Sequence, residues 1–147
     1  MGKSDEWEKF MKVLTFLVLT ILFVSNSVCA EVVVIVHPSN SSSLDSSTIS
    51  RIFTGKAKSF PGGNKAIPIN QDESSSVTGE FNNKALNKSS SQLKAYWSKL
   101  VFTGKGTPPK SVGNDAEVLQ LVSNNPNIIG YVSASAVNDS VKVVATF

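Results

Sequence analysis

Ile69-Asn70-Gln71-Asp72-Glu73-Ser74-Ser75-Ser76-Val77-Thr78-Gly79-Glu80-Phe81 reads as the end of a buried strand turning straight into a helix. Just upstream, Lys65-Ala66-Ile67-Pro68-Ile69 is short and apolar enough to be that strand. Pro68 places it at a sheet edge or a strand end. Ser74, Ser75 and Ser76 are N-cap candidates for a helix over residues 77–86. A helix start exposes free backbone N–H groups and the positive end of the macrodipole. Hydroxyls at that point add donors. Strand, polar turn and hydroxyl-rich helix start together suit a small oxyanion. The same residues equally describe an ordinary capped helix.

Outward from this stretch the chain alternates strands and helices. Glu31-Val32-Val33-Val34-Ile35-Val36-His37 is β-branched without alternation, as in a strand covered on both faces. A helix capped by Asp45 or Ser47 runs to about Phe53, with Gly55 placed as its left-handed terminator. Ser90 or Ser91 caps a longer helix to about Phe102, on which Leu93, Tyr96, Trp97, Leu100 and Val101 recur at helical spacing. Trp97 reads as a core anchor on that stripe, as Phe53 does on its own helix. Gly104 begins a glycine- and proline-rich loop. Asn114-Asp115 then starts a helix that buries Val118, Leu119 and Val122. Two strands follow, Ile128-Ile129-Gly130-Tyr131-Val132 and residues 141–145, where Gly130 signals the close approach of another backbone. The order β-α-β-α-α-α-β-β is an α/β fold. Phe-Thr-Gly-Lys occurs at both Phe53 and Phe102; because the flanking elements differ, it reads as one solution to helix termination used twice.

Residues 13–24 are almost wholly apolar, follow Lys12, and precede Val28-Cys29-Ala30. That is the pattern of a secretory signal peptide cut after Ala30, with an uncleaved anchor as the alternative. Residues 1–10 form a polar leader, and Met11 is the more usual start. The domain is therefore residues 31–147, exported to the periplasm. It holds no cysteine and one histidine, His37, so neither a disulfide framework nor a zinc site is expected. Charge is uneven: residues 51–110 carry +7, the rest of the domain −4. A basic middle favours anionic partners. Nucleic acid is not among them, since no aromatic residues interleave with the basic ones in a recognisable module.

Ile52-Phe53-Thr54-Gly55-Lys56, the stretch from Ile69 to Ser76, Ala95-Tyr96-Trp97, Phe102-Thr103-Gly104 and Ile129-Gly130-Tyr131-Val132 occur in order. Together they resemble the phosphate ABC transporter substrate-binding proteins, and most of all short, single-lobe members of that type II periplasmic-binding-protein fold. The resemblance implies a mixed sheet flanked by helices. It implies a phosphate site at the strand-to-helix turn, where the family has Arg-x-Asp-x-Ser-Gly-Thr. Asp72 and Ser74 match that pattern, and Ser76 keeps the hydroxyl of the threonine. Asn70 replaces the arginine and Ser75 the glycine. Losing the arginine removes a permanently charged, bidentate ligand. Ser39 and Asn40, after the first strand, stand in for the family's other phosphate-binding loop.

The leading expectation is an exported binding module for inorganic phosphate or a similar oxyanion, without catalysis, cofactor or metal. A membrane transporter and a second lobe or chain are its candidate partners. The alternative is an envelope interaction protein that kept the fold without the ligand. A hydrolase fits least, since His37 is the sole imidazole and no Gly-x-Ser-x-Gly elbow is present.

Overall fold

The computed structural model describes residues 6–9, 11, 12 and 30–147. The apolar segment read as a signal core lies outside the described residues. Among those described, no helix is long and apolar enough to cross a membrane.

The β-branched run forms strand β1, Val32–Val36, with all five residues buried. Its side chains alternate between two cores. Val32, Val34 and Val36 face one; Val33 and Ile35 face the other. This explains the missing hydrophobic alternation, because both faces of the strand are covered. Helix α1 is Ser46–Phe53, capped by Asp45, whose carboxylate accepts from Thr48 N–H at 2.7 Å. Strand β2 is Ile67–Gln71, helix α2 is Ser76–Ala85, and helix α3 is Ser90–Phe102. Strand β3, Lys110–Val112, precedes helix α4, Asp115–Asn124. Strand β4, Ile128–Ser133, a short 3-10 turn, and strand β5, Lys142–Thr146, complete the order.

The strands make one mixed sheet in the order β3-β2-β4-β1-β5. β2 runs parallel to β3 and β4, while β1 is antiparallel to both β4 and β5. Helices α1, α2 and α3 contribute to the core on one face, and α4 covers the other with Val118 and Val122. The α/β fold with a mixed sheet flanked by helices is as read from the sequence.

Several local expectations change. β2 starts and ends two residues later than the apolar run suggested, so Asn70 and Gln71 belong to the strand. Pro68 sits near the start of β2, before β3 begins to pair at Ile69; its missing N–H therefore faces no partner on that side. β3 was not legible, because its exposed Lys110-Ser111 start carries no apolar signal. The cap of α3 is Ser89 rather than Ser90 or Ser91, with Gln92 closing a reciprocal capping box. At Gly130 the close neighbour is a side chain: a Cβ there would lie 2.5 Å from Val118 Cγ1, while the nearest backbone atom, Ile69 O, is at 3.9 Å.

The two Phe-Thr-Gly-Lys strings end α1 and α3 identically. Gly55 and Gly104 take φ of 74° and 68°. Lys56 N–H donates to Arg51 O and Lys105 N–H to Leu100 O, each at 2.8 Å. The Thr54 and Thr103 hydroxyls donate back to Ser50 O and Lys99 O. Thus the tetrapeptide is a terminator in both places. Its two phenylalanines differ completely, however: Phe53 is in the core and Phe102 is 93% exposed.

Candidate functional site: the cleft beyond strand β2

β2 ends in a turn tied together by Asp72. Its carboxylate accepts from Ser74 N–H at 2.9 Å and from Ser74 Oγ at 2.6 Å. Its carbonyl accepts from Ser75 N–H at 3.0 Å and from the Thr78 hydroxyl at 2.8 Å. The Ser74 hydroxyl first, and then the Ser74 N–H, hold the Asp72 carboxyl below its ordinary pKa, so it is ionised at neutral pH. Ser75 is the N-cap of α2, yet no side chain caps that helix. The other three α-helices of the domain begin on side-chain caps: Asp45, Ser89 and Asn114. The first N–H groups of α2 have no intrahelical partner, and the serines around them leave them free of side-chain oxygen.

A buried hydrogen-bond network holds this turn on the sheet. The Tyr131 hydroxyl, from β4, accepts from Gln71 N–H at 3.1 Å and lies 3.3 Å from Thr78 Oγ1, to which it donates. Gln71 Nε2 donates to Tyr131 O at 2.9 Å and to Asp115 Oδ1 at 2.6 Å. Strand β2, helix α2, strand β4 and the start of α4 thereby meet at one point. Burial pushes the Tyr131 phenol above its ordinary pKa, so its proton stays in place to reach Thr78. Tyr131→Phe keeps the ring but leaves the buried Gln71 N–H without its acceptor. The expected cost is about 1–3 kcal/mol, read by urea denaturation. A loss indistinguishable from zero would mean that water reaches Gln71.

Beyond the end of β2 lies a cleft of about 600 Å³. Asn70, Glu73, Thr78 and Asn82 line it from β2, the turn and α2. Leu93, Lys94, Trp97, Val101 and Phe102 line it from α3. Pro108, Pro109 and Ser111 close a third side. A second hollow of about 260 Å³ lies behind Trp97, which lines both. Trp97 is therefore half-buried, not the core anchor its stripe suggested. Of the apolar residues on α3 only Leu93 is buried. Helical spacing marks one face as apolar, but it does not supply a partner for that face. Tyr96 donates its hydroxyl to Thr54 O at 2.7 Å, fastening α3 to the end of α1.

The residues proposed from sequence separate into two places. Asn70 lines the cleft, and Asp72, Ser74, Ser75 and Ser76 form the adjoining turn and helix start. Ser39 and Asn40 do not join them, which corrects their placement in one site. Val36 pairs with Ile129 and Ile67 with Ile128, so β1 ends where β2 begins. The antiparallel direction of β1 thus sends its loop to the opposite end of the sheet from Asp72. There Ser39 Oγ is 2.7 Å from His37 Nδ1, and Asn40 Oδ1 accepts from Ser42 N–H. Sequence reasoning missed Gln71, Thr78 and Asn82. The signal for Thr78 and Asn82 was polar residues four apart on the face of Phe81; Gln71, at the end of β2, gave none. Among the described residues no three of His, Cys, Asp and Glu gather closely enough to hold a metal ion.

The chain matches no family model and no curated protein. Solved structures do match. A protein from Clostridium perfringens with bound phosphate superposes with a TM-score of 0.62 at 22% identity, over 78% of this chain and 45% of its own. An ABC-type phosphate transport receptor from Vibrio cholerae gives 0.60 at 16%, over 78% and 46%. PstS from Borrelia burgdorferi gives 0.57 at 16%, over 79% and 47%. The chain has their fold. It spans less than half the length of each of these structures.

Proposed function

We propose that this chain is a periplasmic solute-binding module for phosphate or a related oxyanion, exported by its apolar N-terminal segment and serving phosphate uptake with a membrane transporter. The observation that carries this reading is the start of α2. It follows β2 through a polar turn and lacks a side-chain cap, in a fold shared with a protein solved with phosphate bound. Free N–H groups at a helix start are natural donors to an oxyanion. Ser75 and Ser76 add hydroxyl donors, Ser74 holds the Asp72 carboxylate in place with its own, and Asn70 adds an amide from the end of β2. Ionised Asp72 only accepts hydrogen bonds. It therefore favours phosphate, which keeps a proton at neutral pH, over sulfate, which has none.

Asn70 in the arginine position reduces the Coulombic share of binding. Phosphate affinity is expected to be micromolar to millimolar, about −8 to −4 kcal/mol. Calorimetric titration with phosphate and then sulfate tests this. Asp72→Asn exchanges an acceptor for a donor, so it should weaken discrimination against sulfate more than it weakens phosphate binding. Failure of the wild-type chain to bind either anion at millimolar concentration would remove this reading. The envelope interaction module, which needs no ligand, would then replace it.

A further inference from the structure

The cleft is larger than an inorganic oxyanion requires, and one wall of it is apolar. Its volume of about 600 Å³ falls in the range of sites that enclose small organic molecules, about 300–1,000 Å³. Leu93, Trp97 and Val101 stand four residues apart along α3 and all line it. Phe102 continues the stripe. Val101 is 51% exposed and Phe102 93%, so this wall is apolar surface presented to water. The opposite side is polar. It holds Asn70 and also Asn82, which is buried and reaches Ser90 Oγ only at 3.5 Å. So long a contact is weak. Lys94 brings a cation to the same cleft.

We infer that the cleft takes a phosphate monoester with a small apolar body, not free phosphate alone. The inference rests on the oxyanion reading above and extends it to the rest of the ligand. The phosphate group lies at the polar side, where Asn70 and Asn82 line the cleft beside the turn into α2 and donate hydrogen bonds. Lys94 supplies the charge that Asn70, in place of an arginine, does not. The ester's body covers Trp97, Val101 and Phe102, removing from water the surface that α3 otherwise exposes. Glu73 also lines the cleft. It opposes an anion and keeps affinity modest.

The probe is phenyl phosphate, compared with inorganic phosphate and phenol. Binding is followed by calorimetry and by Trp97 fluorescence in the full chain carrying Trp7→Phe, which leaves Trp97 as the single tryptophan. Phenyl phosphate is expected to bind about tenfold tighter than phosphate and to change Trp97 emission. Val101→Ser with Phe102→Ser, at positions 51% and 93% exposed, should erase most of that advantage, read as the ratio of phenyl phosphate to phosphate affinity in the same variant. Lys94→Ala should weaken both phosphates, and Glu73→Gln should tighten both. Phenyl phosphate binding no tighter than phosphate overturns the ester inference while leaving the oxyanion reading intact. Binding of neither overturns both. Phenol binding as tightly as phenyl phosphate overturns the inference by showing an apolar site with no use for the anion.

Discussion

Phe81→Ala is expected to destabilise the fold by about 3–5 kcal/mol, the usual cost of emptying a large buried aromatic site. Phe81 is fully buried. Its ring stacks on Tyr131 with centroids 4.0 Å apart and planes 8° from parallel. It meets Phe53 edge-on at 4.7 Å and Phe147 at 6.4 Å. One side chain of α2 therefore touches α1, β4 and the C-terminal residue. Removing it opens a cavity where these elements meet, and their backbones cannot all close around it. Such a loss is a large share of the 5–15 kcal/mol typical of a whole domain. It also loosens α2 at Thr78, one turn earlier, and with it the Asp72 turn. Urea denaturation of the variant measures the change. A loss below about 1 kcal/mol, the range of surface substitutions, would place the ring outside the core.

Gly130→Val is expected to cost about 3 kcal/mol or to prevent folding, the upper end for overpacked cores. Gly130 lies in β4 opposite Ile35 of β1, and α4 packs directly on it. Even a single Cβ would sit 2.5 Å from Val118 Cγ1 and 3.6 Å from Val122 Cγ2. Both valines are fully buried. A β-branched side chain in a helix has essentially one rotamer, so Val118 cannot swing aside and α4 must lift. Lifting α4 pulls Asp115 from Gln71, and the network behind the cleft loses a member. The thermal midpoint of Gly130→Ala should fall sharply, and adding Val118→Ala should restore at least half of the drop, because the two changes share one contact. No recovery would mean that the strain arises within the strand and not against the helix.

The limits of sequence reading are plainest in Phe-Thr-Gly-Lys. Both copies end a helix as expected, because left-handed glycine and back-bonded threonine depend only on residues within one turn. Nothing in the tetrapeptide tells Phe53, which joins Phe81 and Tyr131, from Phe102, which faces water. The same division runs through the candidate site. The turn from β2 into α2 was legible because strand, breaker and helix starter lie side by side in the chain. Its buried ties were not, because Gln71, Thr78 and Tyr131 meet only when β2 lies beside β4 and α2 packs across them.

Order and type of most elements, the double burial of β1, the Asp45 and Asn114 helix starts and both glycine terminators came from local chemistry. Periodicity, capping and φ preference act over a few residues and need no fold to operate. Strand direction did not. The antiparallel run of β1 against β4 carries Ser39 and Asn40 away from Asp72, and hydrophobic pattern is the same whichever way a strand runs. The apolar stripe of α3 likewise announced a face to be covered. Whether the remainder of the domain covers it depends on where the sheet and the other helices end, and here it leaves Trp97, Val101 and Phe102 along an open cleft.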